Sequence, residues 1–198
     1  PTRRDALGSL EVRHDGLIRL RPPKGMRAHN GELSLELDHV TRLFDEVGVA
    51  DRALERGLTL EGEVDGVLLV ENLGAWRDMP HPTGWMLAHI PGWDTRGAAA
   101  LLARLPPTTV LHFGDLDPNG ARIARHLGDL IPGLEWFVPD FWPDYLADAT
   151  EWPDELELDD APVLVQQLAL VGLWLEQEPI VLDSRLTTAI LARSSQRR

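Results

Sequence analysis

Apolar and polar residues alternate through Leu17-Ile18-Arg19-Leu20-Arg21, the period of a strand with one buried face, and Pro22-Pro23 stops the pattern. Leu33, Leu35 and Leu37 alternate with Ser34 and Glu36 in the same way, so the chain is expected to open with a small β-containing lead-in. From Leu43 to Leu58, residues Leu43, Phe44, Val47, Val49, Ala50 and Leu54 suggest a helix, or two short ones broken near Gly48. Gly66-Val67-Leu68-Leu69-Val70 is a continuous apolar run with β-branched members, which reads as a strand buried on both faces, and it ends directly in Glu71-Asn72. Further strands are expected at Trp85 to Ile90, Thr109 to Phe113 and Leu134 to Val138, with helices at Thr95 to Leu105 and Pro118 to Leu130 between them. An apolar helix from Val163 to Leu175 and a second from Ser184 to Arg193 precede the polar tail.

Strand and helix alternate after residue 62, which implies parallel strands joined by right-handed helical crossovers. The expected fold is therefore α/β: a Rossmann-like parallel sheet of about four strands flanked by helices, over 63–198, with 1–62 as a small N-terminal β-containing extension. In open parallel sheets ligands collect beyond the carboxyl ends of the strands, where Glu71 and Asp115 both fall. The length, 198 residues, suits one substantial domain with an appended piece. The sequence opens on Pro1 rather than methionine, as expected of a processed chain or an excised fragment.

Composition changes this picture in three ways. The absence of cysteine excludes disulfide frameworks, thiolate zinc sites and cysteine nucleophiles, and fits a reducing cytoplasm. No run approaches the roughly 18 to 20 apolar residues that span a bilayer, so no membrane partner is expected. The 19 Lys+Arg against 32 Asp+Glu give a formal net charge of -13, which argues against nucleic acid because phosphate-binding proteins are usually basic. The acids are unevenly placed, however. Arg3, Arg4, Arg13, Arg19, Arg21, Lys24 and Arg27 concentrate at the start, whereas residues 135–160 mix Trp136, Phe141, Trp142, Tyr145 and Trp152 with many carboxylates. That stretch is expected to pack or to dock a partner.

The segment His112-Phe113-Gly114-Asp115-Leu116-Asp117-Pro118-Asn119-Gly120 carries the chemistry. A strand runs into two aspartates at i and i+2, positions that share a side, and a helix begins at Pro118. Asp117 also suits the N-cap of that helix, but capping leaves Glu71 without a reason. Carboxylates about 4 Å apart repel by roughly 1 kcal/mol per pair in water and more in a cleft. Hard cations neutralise such a cluster. Mg²⁺, or Mn²⁺ in its place, prefers oxygen ligands and keeps several waters.

A Glu after one apolar strand with Asp-x-Asp after a later one resembles the Toprim domain of topoisomerases, primases and several nucleases. Val70-Glu71-Asn72, Gly114 to Gly120 and Leu175-Glu176-Gln177-Glu178 together resemble the C-terminal Toprim region of the JetD (MksG) family, over about Val64 to Leu191. Members of that family are the nuclease subunits of Wadjet plasmid-defence systems. The resemblance implies a Mg²⁺- or Mn²⁺-dependent endonuclease acting on double-stranded plasmid or foreign DNA. It further implies a cytoplasmic homodimer working with an SMC-like, condensin-type complex. It makes Glu71 a metal ligand or general base, Asp115 and Asp117 metal ligands, and Glu178 a second-metal ligand. Leu73-Gly74-Ala75-Trp76 matches no role in the family pattern.

Two other functions remain open on the residues alone. A phosphohydrolase of the haloacid-dehalogenase type uses Asp-x-Asp after a strand, with the first Asp as nucleophile, but on its first core strand and without a preceding Glu. An interaction module would use the acids structurally. His81, His89 and His126 are expected in packing or surface roles, and His112 as a neighbour of the acid cluster. The single tyrosine, Tyr145, follows the motif, so hydrolysis by activated water is favoured over tyrosine transesterification.

Overall fold

The computed structural model describes residues 16–93, 95–151, 158 and 160–195. Arg3, Arg4, Arg13, Trp152 and several acids of the aromatic stretch lie outside these residues. The architecture is α/β, a mixed six-stranded sheet with helices on both faces. Its centre is four parallel strands: β6 (Gly66–Val70), β7 (Trp85–His89), β8 (Thr109–Phe113) and the short β9 (Glu135–Trp136). The lead-in adds β1 (Leu17–Arg21) and β4 (Val47–Ala50) beyond β7, both antiparallel, giving the order β4-β1-β7-β6-β8-β9. The expected sheet of about four parallel strands is thus extended to six and becomes mixed.

The hydrophobic pattern explains the layering. All five residues of β6, β7 and β8 are buried. Along β6, Leu68 and Val70 enter one core and Val67 and Leu69 the other. The first core is closed by the helices Leu73–Asp78 (α3), Val163–Leu170 (α6), Glu178–Val181 (α7) and Leu186–Ser195 (α8). The second is closed by Arg96–Leu102 (α4) and Pro118–Leu130 (α5). A strand buried on both sides favours apolar residues at most positions, which is why these runs do not alternate, and His89, Thr109 and His112 are the polar residues they bury.

Three expected elements are corrected. The pattern over Leu43 to Leu58, read as a helix or two short ones broken near Gly48, is two short helices, α1 (Leu37–Phe44) and α2 (Asp51–Glu55), but the break between them is the strand β4 and α1 starts six residues earlier than expected. Asp45, at φ 69°, ends α1 in the left-handed region, and Val49 is buried in the sheet opposite Ile18. The helix over Val163 to Leu175 stops at Leu170, Gly172 turns at φ 70°, and Leu173–Trp174 forms β11, paired with β10 (Thr150–Glu151). The strand over Leu134 to Val138 pairs only through Glu135 and Trp136. A separate three-stranded antiparallel sheet has β2 (Arg27–Asn30) at its centre, between β3 (Leu33–Glu36) and β5 (Thr59–Glu61).

One buried cation joins the lead-in to the region behind the site. Arg21, 6% exposed, lies 4.7 Å over the Trp76 ring and donates to Trp76 O (2.9 Å), Met79 O (3.3 Å) and the Asp45 carboxylate (2.7 Å). Its guanidinium therefore satisfies carbonyls at the end of α3 that have no partner within the helix. Among the described residues, no helix is long and apolar enough to cross a membrane.

Candidate metal centre

Glu71 follows β6 and Asp115 follows β8, and these strands pair in parallel from Gly66↔Thr109 to Val70↔Phe113. Pairing in that register brings the two strand ends level, and the Glu71 N–H donates to Phe113 O at 3.2 Å. The carboxylates are close enough to act on each other. Burial pushes the Glu71 carboxyl up from 4.5 to about 8, and the charges of Asp115 and then Asp117 push in the same direction. Asp115 rises from 3.8 to about 7, chiefly by burial; the Gln177 N–H opposes this, and Glu178, Asp117 and Glu176 add repulsion.

Each aspartate also has a structural role. Asp117 is the N-cap of α5, accepting from the Gly120 N–H at 2.5 Å, with Pro118 at the first helical position. Asp115 Oδ1 accepts from the Gln177 N–H at 2.8 Å. The N-capping reading of Asp117 is therefore correct, and it occupies one oxygen of that carboxylate. Asn72 caps α3 in the same way, accepting from the Gly74 N–H at 2.7 Å.

Close packing at two glycines keeps the acids in place. A Cβ on Gly114 would sit 2.6 Å from Glu71 Oε2 and 2.8 Å from His112 Nε2. At Gly120 it would run into the Asp115 carbonyl oxygen. Both positions allow a backbone approach that any larger residue blocks.

The expected neighbour His112 is fully buried, with Nε2 3.8 Å from Glu71 Oε2. Burial drives its pKa down to about 3, so the ring is neutral at ordinary pH. Neither ring nitrogen has a hydrogen-bond partner among the described residues. His89, at the end of β7, is held instead by a hydrogen bond to the Glu71 backbone, and burial lowers its pKa.

Glu178 joins the site from the far end of the chain. Leu116 and Leu175 form an isolated antiparallel bridge, Leu116 N–H to Leu175 O at 2.8 Å, which lays 175–178 beside the Asp-x-Asp segment. Glu178 sits at the first position of α7, and its Oε1 would lie 3.1 Å from a Cβ on Gly74. The sequence reading did not single out Gln177 as a functional residue. This fully buried side chain, with its amide nitrogen donating to Phe113 O (3.2 Å) and its oxygen accepting from the Asn72 N–H (2.8 Å), ties the ends of β6 and β8 together. No local signal marks it, since it is a single glutamine between two glutamates.

Glu71 Oε2 and Glu178 Oε2 are buried and have no partner among the described residues. An all-oxygen, acidic donor set with unmet acceptors suits a hard divalent cation that retains waters. The acids are spread rather than clenched. Among the described residues, the one set of three ligand-type side chains with donor atoms all within 4.8 Å of one another is Glu36, Asp38 and His39. There Glu36 is already engaged by Arg27 at 2.8 Å and His39 at 3.3 Å. Mg²⁺ usually takes one or two carboxylates and fills the rest of its octahedron with water or substrate oxygen, so it does not require a closed three-acid cluster. No model of a known protein family matches the chain, and no curated protein matches its sequence.

Proposed function

We propose that the chain is a Toprim-type, Mg²⁺- or Mn²⁺-dependent DNA endonuclease domain that hydrolyses phosphodiester bonds, of the kind found in the JetD (MksG) nuclease subunits. The supporting observation is the convergence of Glu71 and Asp115 from adjacent parallel strand ends into a half-buried acidic group in which the Asp115 charge acts on Glu71 and Glu71 Oε2 has no hydrogen-bond partner among the described residues. A bound cation relieves this repulsion with the acids ionised, whereas without metal it is relieved by the proton that burial helps to keep on Glu71.

In this reading Glu71, Asp115 and Asp117 hold the cation, with Glu178 at the margin for a second one. When bound, the metal supplies charge neutralisation at a phosphoryl oxygen and an acidified water. The chain's own residues do the rest. Gln177 and the Asn72 and Asp117 caps fix the carboxylates before substrate arrives. Without metal, burial and the Asp115 and Asp117 charges hold the Glu71 carboxyl up at about 8, and a bound cation would keep it ionised as a ligand. Neutral, buried His112 adds no positive charge behind it. The proposed partners are double-stranded DNA, an SMC-like complex and a second copy of the chain, in the cytoplasm.

The test is incubation of supercoiled plasmid with the protein and Mg²⁺ or Mn²⁺. Cleavage is expected that disappears in EDTA and in Glu71→Gln and Asp115→Asn. Cleavage that persists in either variant overturns the assignment.

A further inference from the structure

The net charge of -13 poses a problem for any DNA-cleaving reading, and the surface beside the carboxylates offers a local answer. Trp93 follows β7 at the same end of the sheet as Glu71 and Asp115, and its side chain is 54% exposed. An indole left in water is held there by defined contacts. Its Nε1 donates to Asn119 Oδ1 at 3.2 Å, and its ring meets His126 at 5.8 Å between centroids, tilted by 45°. Thr95 is 1% exposed and its N–H donates to Trp93 O at 3.0 Å.

Asn119, Arg122 and His126 lie at i, i+3 and i+7 along α5, one face of that helix. Asn119 is two residues from Asp117, so the indole stands within a few residues of the carboxylates. Arg122 on this face and Arg96, three residues beyond Trp93, are both exposed. An exposed aromatic ring, with one exposed arginine on the helix face that it meets and another three residues along the chain, is a combination suited to single-stranded nucleic acid, the ring stacking on a base and the cations meeting neighbouring phosphates.

We propose that Trp93 is a stacking platform for an unpaired nucleobase beside the Glu71–Asp115 site, with Arg96 and Arg122 engaging the adjoining phosphates. The choice of polymer rests on the nuclease reading; the platform itself rests on the placement of Trp93, Asn119, Arg96 and Arg122. It assigns the site a preference for DNA with a splayed or single-stranded segment over intact duplex.

The experiment measures binding rather than cleavage. Fluorescein-labelled oligothymidylate of about twelve nucleotides, within the usual range of single-strand site sizes, is titrated with the chain in EDTA at low salt, followed by anisotropy, with a duplex of equal length alongside. The wild type is expected to bind the single strand more tightly than the duplex. Trp93→Ala should weaken single-strand binding by about tenfold, while Trp93→Phe, which keeps a ring, should retain most of it. Arg122→Ala should reduce the salt dependence of binding. Equal binding by wild type and Trp93→Ala overturns the proposal, as do equal losses in the Ala and Phe variants, or no binding by the wild type. A change in oligomeric state of Trp93→Ala by sedimentation, with oligonucleotide binding intact, reassigns the ring to self-association. Plasmid cleavage that is insensitive to Glu71→Gln sinks the nuclease reading alone and leaves this binding result standing.

Discussion

Replacing Glu71 by Gln should stabilise the metal-free protein, and the gain should grow with pH. The carboxyl has a pKa of about 8 in the folded chain against an ordinary 4.5. Between those values the folded state holds a proton that the unfolded state has released. Stability therefore falls as pH rises through that window, by about 1.4 kcal/mol per pH unit at full proton difference. From pH 4.5 to pH 7 that is about 3 kcal/mol at most, and roughly half is a fair expectation once the site relaxes and admits water. Asp115 repeats the trend over a lower window, from 3.8 to about 7, and remains in the variant. Urea denaturation in EDTA at pH 5 and pH 8 measures both chains. The two should be nearly equal at pH 5, with Glu71→Gln ahead by roughly 1.5 to 3 kcal/mol at pH 8. Mn²⁺ at about a thousand times its Kd should reverse the order, since that excess adds about 4.1 kcal/mol to the protein that binds it. A variant no more stable than wild type at pH 8 without metal would refute the claim that this carboxylate is held against its burial and the charges of Asp115 and Asp117.

Two further substitutions probe the scaffold. Gly114→Ala places a methyl 2.6 Å from Glu71 Oε2, and should abolish cleavage and weaken Mn²⁺ binding in calorimetry while far-UV circular dichroism stays unchanged. Gln177→Ala removes the amide that links Phe113 O to the Asn72 N–H and leaves both buried; a loss of about 2 to 3 kcal/mol in urea denaturation is expected, with reduced Mn²⁺ affinity.

The central strands were legible because burial on both faces demands largely apolar runs: 66–70 meets that demand at every position, and 109–113 meets it except at Thr109 and His112, which are buried all the same. The α5 boundaries were equally plain, since Asp117 and Pro118 mark a helix start with local chemistry. Val47-Gly48-Val49-Ala50 misled because four residues contain too little periodicity to separate strand from helix, and only the neighbour β1 decides it. The same limit hid the second turn of the 163–175 pattern, where Gly172 turns the chain so that Leu173 and Trp174 pair with Thr150 and Glu151.

The site divides along the same line. That Glu71 and Asp115 each end a strand is a local fact, visible in the residues themselves. That they face each other depends on strand order: β7 intervenes in sequence between β6 and β8, yet it pairs on the opposite side of β6 and leaves β8 adjacent. Gln177 is more remote still, 62 residues from the Asp115 carboxylate that its N–H meets. Its contribution arises only after the Leu116–Leu175 bridge has closed. A carboxylate pair built this way acquires its raised pKa values only in the folded chain, because isolated strand ends would leave both acids solvated and ionised. The electrostatic tension at the site is thus a property of the tertiary pairing, and divalent metal should act on folding and on the site together, binding the assembled carboxylates and not the separate segments.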